Sequence, residues 1–79
     1  MSVIKTPLPG TFYRRPSPDA EPYVQEGDSV QAGDVVGLIE IMKTFHEIHS
    51  DTAGRIARFL VGNSELVDAG QDIIALESD

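Results

Sequence analysis

Cysteine and tryptophan are both absent from this 79-residue chain. Without cysteine there are no disulfide staples, no thiol catalysis and no thiolate metal sites. Positive charge is scarce: six Lys and Arg stand against thirteen Asp and Glu, for a formal net charge of −7. Binding phosphates requires clustered cations, and only Arg14 and Arg15 are adjacent, so nucleic acid is not an expected partner. An acidic surface instead favours solubility and steers the chain toward basic partners. No apolar run approaches the roughly 18 residues of a membrane span. The N-terminal MSVIKTPLPG also lacks the apolar core of a signal peptide. The expectation is a soluble, cytoplasmic protein with no membrane partner.

What the chain has is turns. Seven Gly and five Pro in so short a sequence predict many tight turns and short strands. A domain of this size buries only about 60% of its unfolded surface, too little to hide a large internal cavity.

The sequence also repeats itself. EGDSVQAGDVVGLIE (26–40) aligns without a gap on NSELVDAGQDIIALE (63–77) at an offset of 37. Val30/Val67, Ala32/Ala69, Gly33/Gly70 and Glu40/Glu77 are identical, and Val36/Ile73 and Ile39/Leu76 are conservative. Each copy passes from polar residues through a valine and a glycine into an apolar, β-branched run, which reads as strand. Gly33 and Gly70 suit turns that need positive φ. Two copies of about 35 residues are too small to fold separately. The predicted architecture is therefore all-β: a flattened barrel or sandwich of two small antiparallel sheets related by a pseudo-twofold axis, one domain over 1–79. Its core is assigned to Val30, Val36, Ile39, Ile48, Ile56, Val67, Ile73 and Leu76. A turn at Asp51–Gly54 and a strand over Arg55–Val61 are expected, with strand-like pieces at Val3–Thr6 and Gly10–Tyr13. RRPSPDAEP (14–22) has three prolines and no periodicity, reading either as a surface loop or as a semi-rigid protrusion.

Residues 37–49, GLIEIMKTFHEIH, are ambiguous. Leu38, Ile41, Met42, Phe45 and Ile48 fall at helical spacing, which would put Lys43 on a solvated face. The repeat argues otherwise, because the first copy ends at Glu40 and the chain must then turn back. With Met42-Lys43 as a two-residue turn, Ile41 faces Thr44 and Ile39 faces His46. Met-Lys is poorly suited to such a turn, and a locally disfavoured turn is where function overrides propensity. Periodicity alone leaves helix and hairpin open.

The chain resembles the biotinyl domain of biotin carboxyl carriers, in the biotinyl/lipoyl attachment family. The family's Glu-Ala-Met-Lys-Met stands here as Glu40-Ile41-Met42-Lys43-Thr44, and TPLPGTFYRRPSPD (6–19) resembles the start of the acetyl-CoA carboxylase carrier domain. In that carrier a short protruding thumb occupies the place of residues 14–22. The resemblance implies biotin linked covalently to Lys43, at the tip of a hairpin, with Glu40, Ile41, Met42 and Thr44 flanking it for recognition by a biotin protein ligase. It further implies a non-catalytic carrier. Biotin would take CO2 at a biotin carboxylase and deliver it at a carboxyltransferase, with acetyl-CoA the implied acceptor in fatty acid biosynthesis. Ile41 replaces the usual alanine and Thr44 the usual second methionine, while Ser64 replaces a usual turn glycine. The rival fates for Lys43 are lipoylation, whose lysine usually follows aspartate, and an unmodified binding module of the same fold.

Other chemistry finds little support. His46 and His49 lie three apart, so on a strand they point to opposite faces and cannot chelate one metal. Ser17 has no base beside it. Arg14 and Arg15 read as solvated charges, or as contacts for biotin's ureido group or an acidic partner.

Overall fold

A computed structural model describes residues 2–78. Eight strands follow one another: β1 (Ser2–Lys5), β2 (Gly10–Tyr13), β3 (Ser29–Val30), β4 (Val35–Ile41), β5 (Thr44–His49), β6 (Gly54–Phe59), β7 (Glu65–Val67) and β8 (Asp72–Glu77). They form two four-stranded sheets ordered β1-β8-β6-β3 and β5-β4-β2-β7, and every pairing is antiparallel. The body measures 36 × 27 × 20 Å. Its short dimension matches two sheets packed about 10 Å apart with side chains on their outer faces.

Exchanging β1 with β5, β2 with β6, β3 with β7 and β4 with β8 converts one sheet order into the other, the pseudo-twofold relation expected from the repeat. The likeness extends to single hydrogen bonds. Gly33 (φ 96) and Gly70 (φ 82) hold corresponding turns, their N–H groups donating to Ser50 O (2.8 Å) and Thr6 O (2.7 Å). Thr6 and Ser50 are the buried polar residues of the described chain, and each hydroxyl folds back on its own backbone. Thr6 Oγ1 donates to Leu8 O at 2.7 Å and Ser50 Oγ to Thr52 O at 2.6 Å. Without such a partner, burying a hydroxyl costs about 1–3 kcal/mol.

The core lies between the sheets. All eight predicted core residues are buried there, joined by Ile4, Phe12, Val24, Val61 and Ile74. The helical spacing in 37–49 is coincidental: this segment forms β4 and β5, where apolar residues alternate between the two faces of the sheet. Two boundaries shift. β6 begins at Gly54 and stops at Phe59, short of Val61, and β1 ends at Lys5 before Thr6.

The halves differ between β2 and β3. The offset is 44 from β2 to β6 (10 to 54) and 37 from β4 to β8 (35 to 72), so the first half carries 44 − 37 = 7 extra residues. The matching turns at Gln25–Asp28 and Gly62–Glu65, each closed by an acidic side chain on a backbone N–H, place the insertion before residue 25. It therefore belongs to the proline-rich segment.

Candidate functional site

The β4–β5 hairpin closes with Ile41 opposite Thr44, leaving Met42 and Lys43 as its two-residue connection. Both have positive φ, 50° and 69°, the pairing of a type I′ turn, whose twist suits the flanking strands. Glycine or asparagine normally fills such positions, because a Cβ is strained there. Met42 is 91% exposed and Lys43 is exposed. Among the described residues Lys43 joins no ion pair within 4 Å. Its amine stands at the end of the β4–β5 ladder.

Below the turn, Glu40 faces Phe45 across β4 and β5, and Thr11 of β2 is Glu40's partner on the other side. Alternation turns Ile39 inward, where it is fully buried, so Glu40, Phe45 and Thr11 face outward. Leu66 of β7 pairs with Thr11 and extends this row to the sheet edge. In the next row Tyr13 faces Leu38. The Tyr13 phenol donates diagonally to Glu40 Oε1 at 3.3 Å, and its ring lies tilted against Phe45 with centroids 6.4 Å apart. Partial burial, then the hydrogen bond to Glu40 and its negative charge, raise the Tyr13 phenol above its ordinary value of 10.0.

The proline-rich segment borders this face. Its base is pinched where Tyr23 N–H donates to Arg14 O at 2.9 Å, and Arg14 N–H donates to Asn63 Oδ1 at 2.8 Å. The Arg14 guanidinium lies 3.8 Å from the Phe59 ring centroid, and its Nε is buried without a hydrogen-bond partner. Arg14 is thus an anchor, not the solvated charge its sequence position suggested. Pro16, Ser17 and Pro18 form one wall of a groove of about 410 Å³ whose other lining includes Tyr13, Phe45 and Ser64. Leu38, although on the outer face, is only 7% exposed.

The histidines stay apart. His46 pairs with Ile39 on the inner, partly buried side, whereas exposed His49 places Nδ1 2.8 Å from Gly33 O. Among the described residues no three His, Asp or Glu side chains could hold a metal. Nor is any described helix long and apolar enough to cross a membrane.

Sequence reasoning singled out Glu40 to Thr44 as candidates and passed over Tyr13 and Leu66, which strand pairing brings near Glu40. Their link to the hairpin depends on cross-strand register, which no local motif encodes.

A family model described as biotin-requiring enzyme matches residues 2–76. The chain is 36% identical over 75 residues to the biotin carboxyl carrier protein of acetyl-CoA carboxylase from Haemophilus influenzae, covering 95% of this chain and 48% of that one. It is 39% identical over 77 residues to the protein of the same description from Porphyra purpurea, covering 98% of this chain and 49% of the other. The chain thus spans about half the length of these relatives. Among solved structures, the Kluyveromyces lactis urea carboxylase superposes with a TM-score of 0.76 at 26% identity, covering 96% of this chain and 6% of that one.

Proposed function

Because the chain belongs to the biotin-requiring, biotinyl/lipoyl attachment family, we propose that it is a non-catalytic biotin carboxyl carrier with Lys43 as its attachment site. The observation that carries this reading is the strained two-residue turn presenting an unpaired lysine at the place of the family motif. Lys43 Nζ attacks the carboxyl carbon of biotinyl-adenylate, made by a biotin protein ligase from biotin and ATP. An amide forms, AMP leaves, and the amine gives up a proton, removing one positive charge from the chain.

Bound there, biotin supplies a ureido nitrogen that carries CO2 from a biotin carboxylase to a carboxyltransferase. The protein's part is to hold the arm. β4 and β5 give it a rigid base, and tethering raises its local concentration at each partner site. The biotin protein ligase reads Glu40, Ile41, Met42 and Thr44 beside the lysine. Acetyl-CoA is the proposed acceptor, by likeness to the carriers from Haemophilus influenzae and Porphyra purpurea. No observation on this chain favours lipoate over biotin.

Intact mass after incubation with biotin ligase, biotin and ATP tests the reading. Wild type should gain one biotinyl group. Lys43→Arg should fold normally and gain none, since arginine keeps the charge but lacks the nucleophilic amine. Modification of that variant at Lys5, the one other lysine, would overturn the site.

A further inference from the structure

Cysteine and methionine are the side chains that peroxides oxidise most readily, and this chain has no Cys and two Met, at positions 1 and 42. Met42 is 91% exposed, more than the other large exposed apolar side chains described, Leu66 at 77%, Phe45 at 57% and Leu60 at 38%. The turn explains this exposure. It is two residues long, pinned by the Ile41–Thr44 pair below it, and both of its residues have positive φ. Met42 therefore projects past the end of the sheet, and almost nothing covers it. A buried thioether is shielded from an oxidant in water, whereas this one is open over nearly its whole surface. Thr44 stands where the family motif has its second methionine, so the turn carries a single thioether, directly beside Lys43.

We propose that Met42 is an oxidation site whose sulfoxide weakens the loading of Lys43, so that the hairpin turn is sensitive to peroxide. The inference rests on the functional reading above and adds to it a second modification, on the neighbouring residue and made without an enzyme. The oxidant is hydrogen peroxide or an alkyl hydroperoxide. A sulfur lone pair attacks one peroxide oxygen, the O–O bond breaks, and the other oxygen takes up the proton and leaves as water or an alcohol. Sulfur loses an electron pair and the peroxide gains it. A flexible apolar side chain is thereby replaced by a polar, chiral sulfoxide. Methionine suits a binding surface because it is soft and adapts its shape to an apolar partner. A ligase surface that accepts the thioether has to desolvate the sulfoxide oxygen instead, and a polar group buried without a partner costs binding. The change acts on docking and leaves the Lys43 amine free to react.

Mild hydrogen peroxide treatment of the full chain tests this, followed by peptide mass mapping and by biotinylation with KM and kcat measured separately. Met42 should gain one oxygen atom while backbone circular dichroism stays unchanged. The oxidised chain should show KM raised about three-fold or more with kcat nearly unchanged. Methionine sulfoxide reductase with dithiothreitol should remove the oxygen and return KM to its starting value. Met42→Leu sets its own KM, and peroxide should not move it. This variant retains Met1, so it separates the two methionines. An unoxidised Met42, a sulfoxide that leaves KM where it was, or an equal rise in Met42→Leu would overturn the oxidation site while leaving the carrier assignment intact. Failure of untreated wild type to take biotin would overturn the carrier reading and this consequence of oxidation with it.

Discussion

Met42 and Lys43 keep a conformation that their side chains oppose. A left-handed φ costs a non-glycine residue about 1–2 kcal/mol, and two such residues adjoin in this turn. Replacing both as Met42→Asn/Lys43→Gly, the preferred pair for this geometry, should stabilise the protein by about 1–2 kcal/mol in urea unfolding while removing the amine proposed as the attachment point. A stability equal to or below wild type would show that the turn stores no strain. Ser64 provides the internal comparison. It too has positive φ (68°), where its counterpart in the other half is Gly27 (φ 96), and the sequence repeat alone marks the mismatch. The two tyrosines report a different residue-scale effect. Both phenols are raised above 10.0, Tyr13 by partial burial and then by its hydrogen bond to and charge from Glu40, Tyr23 by burial and then by the charge of Glu47. A folded value above the unfolded one means that this stabilisation is complete below pH about 10 and is lost as pH rises through the folded values. Ultraviolet titration should therefore find phenolate forming above pH 10 in the folded protein and near pH 10 in urea. Glu40→Gln should lower the Tyr13 transition alone.

At the scale of elements, the repeat was more informative than local periodicity. Val36/Ile73 and Ile39/Leu76 predicted matching strands, and β4 and β8 carry them at equivalent places in the two sheets. Helical spacing in 37–49 misled because apolar residues fall on both faces of the hairpin: Ile39 and Ile48 point into the core, while Leu38 and Phe45 lie on the outer face. The Met42-Lys43 turn was legible only through the repeat and the family motif, since neither residue type favours it. Leu66 and Tyr13 were illegible because pairing across β7, β2 and β4 is non-local. The seven-residue insertion, by contrast, announces itself as prolines, but not its attachment. That attachment is Arg14, which combines a ring contact with Phe59 and two backbone hydrogen bonds. An arginine over a partly desolvated ring contributes about 1–2 kcal/mol. Arg14→Ala should lower global stability by about that much and speed amide exchange in residues 15–22. The exchange of β4 and β5 should change no more than global stability requires. Unchanged exchange in 15–22 would mean that the prolines alone hold the segment.

At the scale of the whole molecule, the duplicated sequence suggests two halves, but the pairings join them. Residues of the first half form β1–β4 and those of the second β5–β8. Of six strand pairings, only β2 with β4 and β6 with β8 stay within a half, and the other four cross between halves. Each sheet accordingly draws two strands from either half, and the core between them is built by both. A lone pair of strands is marginal in water, so neither half has enough structure to bury its apolar face. Urea unfolding of the full chain should then be one transition, with backbone circular dichroism and tyrosine signals coinciding. Fragments 1–42 and 43–79, divided within the hairpin turn, should each be disordered in isolation. Mixed in equal amounts they should regain β structure, with a melting midpoint that rises with concentration, because the crossing pairs form only between them. Cooperative melting of either fragment by itself would show that one sheet-forming unit suffices. The pseudo-twofold would then describe two joined foldable units, and Lys43 would sit on the linker between them instead of on a hairpin braced by both.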